Sequence, residues 1–221
     1  MKEHFTNELH RLILQLQAQG TLVRHSIQQA LTAFQTADEP LARQIIAHDS
    51  VIDCEEIRLE EECLKLLALY QPVAVDLRVV ISCIKINGSL ERMADFACHI
   101  AERAIHRASA NPTPHPTASC DFTTMGQLVL SMLQDTLELI VSADVAMAHT
   151  VIAKDDTVDS LRNQHKAAAR KALEETQPNA TYFIDCLGLA RDLERIADLC
   201  IDICQQILYL RTGHIVRHHS S

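Results

Sequence analysis

The chain is poor in the residues that build β-sheets and glycine-rich loops. Its 221 residues include no tryptophan, only five glycines, and 4% aromatic residues. Sheet proteins are rich in aromatic and β-branched residues and in glycine-containing turns. This composition therefore favours an all-helical protein. We also find no glycine-rich phosphate-binding loop and no Gly-x-Ser-x-Gly or His-Glu-x-x-His motif, so we predict that the protein is not an enzyme.

The charge and the apolar runs exclude two further classes. The formal net charge is −9, which disfavours nonspecific nucleic-acid binding because phosphate contacts need a basic patch. The most apolar stretch, residues 79–86, contains Lys85 and is too short to span a bilayer. We see no signal-peptide pattern at the N-terminus and expect a cytoplasmic protein without direct membrane insertion.

The eight cysteines include no Cys-x-x-Cys pair, which argues against a zinc knuckle or a redox motif. Most of them lie within helical patterns, where cysteine behaves as a small apolar residue. We therefore expect reduced thiols. Cys200 and Cys204, four residues apart, are interpreted as core residues in preference to metal ligands.

Three short segments recur in the same order in the two halves of the chain. Residues 47–53 match 153–159, Gln71-Pro72 matches residues 177–178, and the pattern Leu-Glu-Arg-x-Ala-Asp occurs at 90–95 and at 193–198. The offsets are 106, 106 and 103 residues, so the second copy lacks three residues after its Gln-Pro. Ordered matches of this kind predict a duplicated unit.

A segment with three prolines, residues 109–119, separates the two copies and cannot be helical. We assign the first repeat to residues 1–109, the linker to 110–120, the second repeat to 121–213 and a C-terminal tail to 214–221. Helices are predicted at 3–36, 39–69, 73–108, 122–149, 151–175 and 180–211. Short loops between long helices imply antiparallel neighbours. The predicted fold is all-α, with two repeated antiparallel three-helix bundles, six helices in all, related by pseudo-twofold symmetry.

The repeated segments carry carboxylates four residues apart, a spacing that places both on one helix face. The pairs are Asp49/Asp53, Glu91/Asp95, Asp155/Asp159 and Glu194/Asp198. Composition alone predicts about four acidic pairs at this spacing, and we interpret one further pair, Glu56/Glu60, as solvated. The stronger indication is position, because each unit has one pair in its second helix and another in its third, where the two pairs could face each other.

Each third helix extends this series one turn further, to His99 in the first unit and to Asp202 in the second. Carboxylate oxygens suit Mg, Mn, Fe or Zn, and the histidine favours a transition metal in the first unit. The alternative is an exposed acidic stripe whose charges pair with Arg92, Arg195 and Lys154.

Several of these segments resemble the PhoU family of phosphate-transport accessory and regulatory proteins. The resemblance covers nearly the whole chain. It is most specific at Gln71-Pro-Val-Ala-Val-Asp-Leu-Arg78, at Leu90-Glu-Arg-Met-Ala-Asp95, at Ala190-Arg-Asp-Leu-Glu-Arg-Ile-Ala-Asp198 and at the ending Ile207-Leu-Tyr-Leu-Arg-Thr-Gly213. A duplicated three-helix bundle is also the fold of that family.

The resemblance implies a cytoplasmic bacterial regulator that links the ATPase subunit of a phosphate ABC transporter to a sensor histidine kinase and restrains the phosphate-starvation response. It also implies metal clusters of iron, zinc, manganese or magnesium on Glu/Asp-x-x-x-Asp motifs. By that match the expected ligands are Asp49, Asp53, Glu91, Asp95, Asp155, Asp159, Glu194 and Asp198. His99 and Asp202 are included as departures from the family pattern, since family members often have Asn at the place of Asp202. The family and the mean hydropathy of +0.01 suggest a homodimer.

Two other functions remain open. The protein could be an acidic helical adaptor without functional metal, or a multinuclear-metal hydrolase, since such centres activate water. A ferritin-like oxidase is disfavoured because the chain contains no Glu-x-x-His motif. The histidine-rich tail at 214–221 is interpreted as a solvated terminus.

Overall fold

A computed structural model describes residues 2–109, 121–175 and 180–212. These ranges are almost entirely helical and contain no strand, which confirms the predicted all-α class. The proline-rich segment, Cys120, the second Gln-Pro pair and the tail lie outside the described residues. The helices are α1 (Lys2–Thr36), α2 (Glu39–Tyr70), α3 (Ala74–Ser109), α4 (Thr123–Ser142), α5 (Val145–Ala153), α6 (Asp155–Glu175) and α7 (Ala180–Thr212).

The helices of the first unit begin and end close to where the sequence predicts. Asp38 caps α2, because its Oδ1 accepts a hydrogen bond from the backbone N–H of Leu41 at 3.0 Å. At the other end Gln71 adopts a left-handed conformation with φ 47° and donates its N–H to the carbonyl of Leu67. Pro72 follows and disfavours continuation of the helix. Local chemistry thus separates α1, α2 and α3.

The predicted boundary near residue 150 in the second unit is wrong. The helix ends earlier, at Ser142, and Ala143 takes a left-handed conformation with φ 50°. Asp144 then caps α5, with its Oδ1 accepting from the N–H of Ala146 at 2.9 Å. A second interruption at Lys154 separates α5 from α6. Together α5 and α6 take the place that α2 has in the first unit.

The repeat contained the signal for this boundary. Thr36-Ala37-Asp38 and Ser142-Ala143-Asp144 are 106 residues apart, the same offset as the other matches. Ala37 also has a left-handed backbone, with φ 53°. The same Ala-Asp turn therefore ends the first helix of each unit, and the mostly apolar segment 145–152 obscured it in the second.

Equivalent helices pack against each other across the two units, α1 on α4 and α3 on α7. A Cβ atom at Gly20 would overlap the Cδ2 of Leu137, and a Cβ at Gly126 would lie 3.0 Å from the Cδ1 of Leu31. Gly126 is 106 residues after Gly20, and Leu137 is 106 residues after Leu31. This reciprocal glycine–leucine packing follows the predicted pseudo-twofold symmetry.

One hydrophobic cluster extends through both units, and α3 lies at its centre against α1, α2 and α7. Small buried residues on α3, such as Ala97, Ala101 and Ala104, allow these neighbours to approach closely. Cys200 and Cys204 are buried in the same core and unpaired, as core packing predicts. None of the described helices is long and apolar enough to cross a membrane.

Candidate functional site

The first acidic cluster forms where α2 and α3 pack together. Helix α2 contributes Asp49 and Asp53, and α3 contributes Glu91 and Asp95. Burial raises the pKa of Glu91, and repulsion from Asp95, Glu56, Asp53 and Asp49 raises it further. The structure therefore brings the two pairs together, as the sequence predicts.

Two residues that the sequence reasoning missed belong to this cluster. Glu56 is partly buried and its pKa is raised, first by burial and then by Glu60 and Asp53, so this member of the pair interpreted as solvated also interacts with the cluster. The thiol of Cys98 hydrogen-bonds to Asp49, which opposes the burial that raises the pKa of that carboxyl. Cys98 has its own pKa raised to about 12, chiefly by burial, and therefore remains a protonated donor.

The spacing of both residues allows this position but does not decide it. Glu56 follows Asp53 by three residues and Cys98 follows Asp95 by three, so each lies one turn along the same helix face.

His99 is placed differently from the carboxylates. Its side chain is exposed and its ring packs edge-on against Phe96, with 5.9 Å between ring centroids. Its charge lowers the pKa of Asp192 on α7. The interactions of His99 are thus at the junction of α3 with α7.

The second acidic cluster forms in the same way between α6 and α7. The pKa of Asp155 is raised to about 6, first by burial and then by the charges of Asp159, Asp198, Asp156 and Glu194. Carboxylates this close to one another repel unless a proton or a cation lies among them. The predicted pairing of the two helices is therefore found in this unit also.

Arginines accompany the second cluster. Arg162 forms an ion pair with Glu194, and Arg195 lies 3.5 Å from Asp198. Asp202, whose charge helps raise the pKa of Asp198, lies 3.9 Å from Arg92 of α3. These contacts agree in part with the alternative of an acidic stripe paired with basic residues.

Lys154 does not take part in that pairing. Its Nζ lies 2.5 Å from Asp135 and 3.0 Å from Ser131, both on α4. The expectation that Lys154 pairs with the acidic stripe is therefore not met, because the turn between α5 and α6 directs the side chain to α4.

One difference between the two clusters changes the sign of a charge. Arg162 in the second unit corresponds to Glu56 in the first, at the offset of 106. Among the described residues, Asp49, Asp53, Glu91 and Asp95 form no salt bridge, whereas Glu194 and Asp198 do. The four paired carboxylates of the first cluster thus have no arginine partner among the described residues, whereas two of the four in the second cluster have one.

The donor chemistry of both clusters suits a hard divalent cation, since all the paired groups are carboxylates. Within the part of the chain that the structure describes, no three His, Cys, Asp or Glu side chains converge closely enough to hold a metal ion as they stand. The raised pKa values of Glu91 and Asp155 nevertheless show sites where a bound cation would relieve repulsion. The residues suit a metal by their donor chemistry, and holding one would require their side chains to move closer together.

The second cluster opens onto a groove of about 600 Å³ at the junction of α3 and α7. Arg92, Phe96, Arg195 and Asp202 line it together with Asp155 and Asp198. Side chains from both units therefore meet at this acidic surface.

The fold and these surfaces define a duplicated helical-bundle protein with a carboxylate cluster in each repeat. The family model described as the PhoU domain matches residues 16–104 and again residues 122–207. The chain belongs to the PhoU family. This confirms the resemblance seen in the sequence.

Relatives and solved structures agree with that assignment. The chain is 36% identical over 211 residues to a phosphate-specific transport system accessory protein PhoU homolog of Aquifex aeolicus, covering 96% of this chain and 94% of the relative. It is 31% identical to the accessory protein PhoU of Edwardsiella tarda, covering 97% and 87%. The crystal structure of PhoU from Pseudomonas aeruginosa superposes with a TM-score of 0.89 at 31% identity, covering 95% of this chain and 100% of that one.

A second crystal structure, the phosphate transport system regulatory protein PhoU from Streptococcus pneumoniae, has a TM-score of 0.86 at 30% identity, covering 97% and 100%. The relatives from Aquifex aeolicus and Edwardsiella tarda are named as accessory proteins, and the one from Streptococcus pneumoniae is named as a regulatory protein.

Proposed function

We propose that the protein is a cytoplasmic accessory protein of a phosphate transport system that regulates phosphate uptake and restrains phosphate-starvation signalling. It acts by binding and not by catalysis. The names of its relatives support the phosphate system. The single observation that carries the binding mode is the meeting of carboxylate pairs from adjacent helices, where burial and then repulsion between the pairs raise the pKa of Asp155 to about 6.

The carboxylate clusters are the proposed sites of a divalent metal, with iron, zinc, manganese and magnesium as candidates. Asp49, Asp53, Glu91 and Asp95 would hold it in the first unit. The equivalent Asp155, Asp159, Glu194 and Asp198 would hold it in the second, with His99 and Asp202 beside the two sites. A bound cation supplies positive charge that neutralises the cluster. The protein's own residues supply the oxygen donors and the rigid helix faces that position them.

The two sites are proposed to differ in affinity. In the second unit Arg162 already occupies Glu194 and Arg195 lies near Asp198, so a metal ion must compete with these arginines. In the first unit Glu56 replaces Arg162 and adds a carboxylate to the cluster. We therefore expect tighter metal binding in the first unit.

The test is isothermal titration calorimetry, in which Mn²⁺ is titrated into chelator-treated, full-length protein. We would compare the double variant Asp49→Asn/Asp95→Asn with Asp155→Asn/Asp198→Asn. The control is Glu138→Gln, an exposed carboxylate of α4 bonded to Gln134. We expect the first variant to lose its tighter sites and the second to lose only weaker ones. Unchanged binding in both variants, or an equal loss in the control, contradicts the metal proposal.

A second candidate, an acidic adaptor without functional metal, is favoured by the arginine pairs of the second unit. In that case the carboxylates serve a basic partner surface. The metal-dependent regulator and the acidic adaptor can be distinguished by measuring partner capture and metal content on the same variants. Loss of capture at constant metal content supports the adaptor, and parallel loss of both supports the metal-dependent regulator.

The proposed partners are the ATPase subunit of a phosphate ABC transporter, a sensor histidine kinase and a second copy of this chain. Exposed apolar side chains at the turn between α2 and α3 support a role in docking. Val73 is 75% exposed and Leu69 is 66% exposed, beside the left-handed residues Gln71 and Ala74. Exposed apolar groups in one patch are typical of interaction surfaces. Purified ATPase subunit captured by wild-type protein, and not by Leu69→Ser/Val73→Ser, would place the contact at this turn.

A further inference from the structure

A second groove, distinct from the acidic one, lies between α6 and α7 and encloses about 400 Å³. Its lining is strongly basic although the chain has a net charge of −9. Glu194 is the one carboxylate among the eight residues that line it. The five cationic lining residues are Arg162, Lys166, Arg170, Arg191 and Arg195.

The cations form two rows that face each other across the groove. Arg162, Lys166 and Arg170 are four residues apart along α6, and Arg191 and Arg195 are four apart along α7. Side chains at this spacing share one helix face, where like charges repel. Such an arrangement needs a compensating negative charge.

The protein supplies little of that charge. Arg162 pairs with Glu194 at the rim, and Arg195 lies 3.5 Å from Asp198. Lys166 and Arg170 form no salt bridge with any side chain that the structure describes. The Nε atom of Arg162 is buried and has no hydrogen-bond partner. Donors are therefore available on α6, and on α7 Arg191 likewise forms no salt bridge with a described side chain.

The first unit shows that the fold does not require this charge. The positions equivalent to Arg162, Lys166, Arg170 and Arg191 are Glu56, Glu60, Leu64 and Gly88, at offsets of 106 for α2 and 103 for α3. Apart from Arg92, which is equivalent to Arg195, the same surface is acidic or neutral in the first repeat and basic in the second. The basic groove is thus a property of the second repeat alone.

We propose that the groove between α6 and α7 binds a phosphate group. Arginine guanidinium groups bind phosphate oxygens in a bidentate manner, and lysine adds a point charge. The phosphate could be free inorganic phosphate or belong to a larger organic molecule, for which Leu187 and Ala190 offer apolar contact. This inference goes beyond the proposed function, because it depends on the charge of one groove and not on the carboxylates.

The test is calorimetry of the full-length, metal-free protein with three probes: inorganic phosphate, adenosine 5′-monophosphate and adenosine. The groove variants are Lys166→Gln/Arg170→Gln and, separately, Arg191→Gln. The matched control is Arg43→Gln/Arg58→Gln, since these arginines are exposed on α2 and pair with glutamates of their own helix. Far-ultraviolet circular dichroism verifies that each variant is helical.

We expect at least one phosphate-bearing probe to bind, and its affinity to fall roughly tenfold or more in both groove variants, as expected when charge-assisted contacts are lost. The control is expected to bind like wild type. Stronger binding of adenosine monophosphate than of inorganic phosphate identifies an organic phosphate, and equal binding identifies the free ion.

The proposal is overturned if neither phosphate probe binds up to about 10 mM, if adenosine binds as well as its monophosphate, or if the groove variants and the control lose affinity equally. Because manganese binding is measured separately, failure of this proposal is distinguishable from failure of the metal proposal.

Discussion

The ion pair between Arg103 and Asp192 joins the two repeats and allows a quantitative test of their packing. Arg103 of α3 donates to the Oδ2 of Asp192 on α7 at 2.9 Å. The side chains are 25% and 7% exposed, so the carboxylate is much the more buried partner. Burial raises the pKa of Asp192, and Arg103 lowers it. Gly188 provides the space, since a Cβ there would overlap the guanidinium.

Replacing Arg103 by Met leaves a buried carboxylate without its partner. Loss of one partner of a buried pair costs about 3–5 kcal/mol, and we expect the lower end because Arg103 retains some solvent contact. Asp192→Asn should cost less, about 1–2 kcal/mol, because the exposed part of Arg103 can be hydrated. In the double variant neither charge remains unpaired, so its cost should be about 1–2 kcal/mol below the sum of the single costs.

The assay is equilibrium unfolding in guanidinium chloride at pH 7 on metal-free protein. The free energy of unfolding would be measured for wild type, both single variants and the double variant. If the single effects add within about 0.5 kcal/mol, the two side chains do not interact and the reasoning is refuted. Gly188→Ala should reproduce part of the loss, because the added methyl group displaces the guanidinium.

Two further predictions concern packing and pH. Alanine at Gly88, which has open space around its Cβ position, should stabilise the protein by about 1 kcal/mol through helix propensity. Alanine at Gly20 should be less stable than Gly88→Ala, because its methyl group would overlap Leu137. Equal thermal midpoints for the two variants would contradict the close crossing of α1 and α4. Burial and then the neighbouring carboxylates raise the pKa of Asp155 to about 6 in the folded protein, above its ordinary value of 3.8. The native state therefore binds protons more tightly, and metal-free protein should become more resistant to urea as the pH falls from 7 towards 5. Asp155→Asn should flatten this dependence, whereas a steeper slope in the variant would show that the sign of the shift is wrong.

Much of the site could be predicted from local spacing. The carboxylates of each pair share a helix face because residues four apart on a helix always do. The repeat placed one pair on the second helix and one on the third in both units. The boundary at Ala143 and Asp144 was equally local, but it was missed because the apolar run after it was assigned to the preceding helix.

Other features of the site could not be read from the sequence. Glu56 had the same pattern as a solvated glutamate, and only the packing of α2 on α3 shows that it joins the first cluster. The basic residues of α6 and α7 are far apart in the chain, and they form one groove only because the two helices are adjacent.

The sequence by itself determined the helices, the duplication and the carboxylate pairs, because these depend on hydrophobic period, capping residues and repeat spacing within short segments. The tertiary structure alone decided which helix faces meet. It directs His99 towards α7, pairs Arg162 with Glu194 and brings Gly20 against Leu137. The physical reason is that such contacts depend on the rotation and crossing of packed helices, which are set by the fit of the whole core.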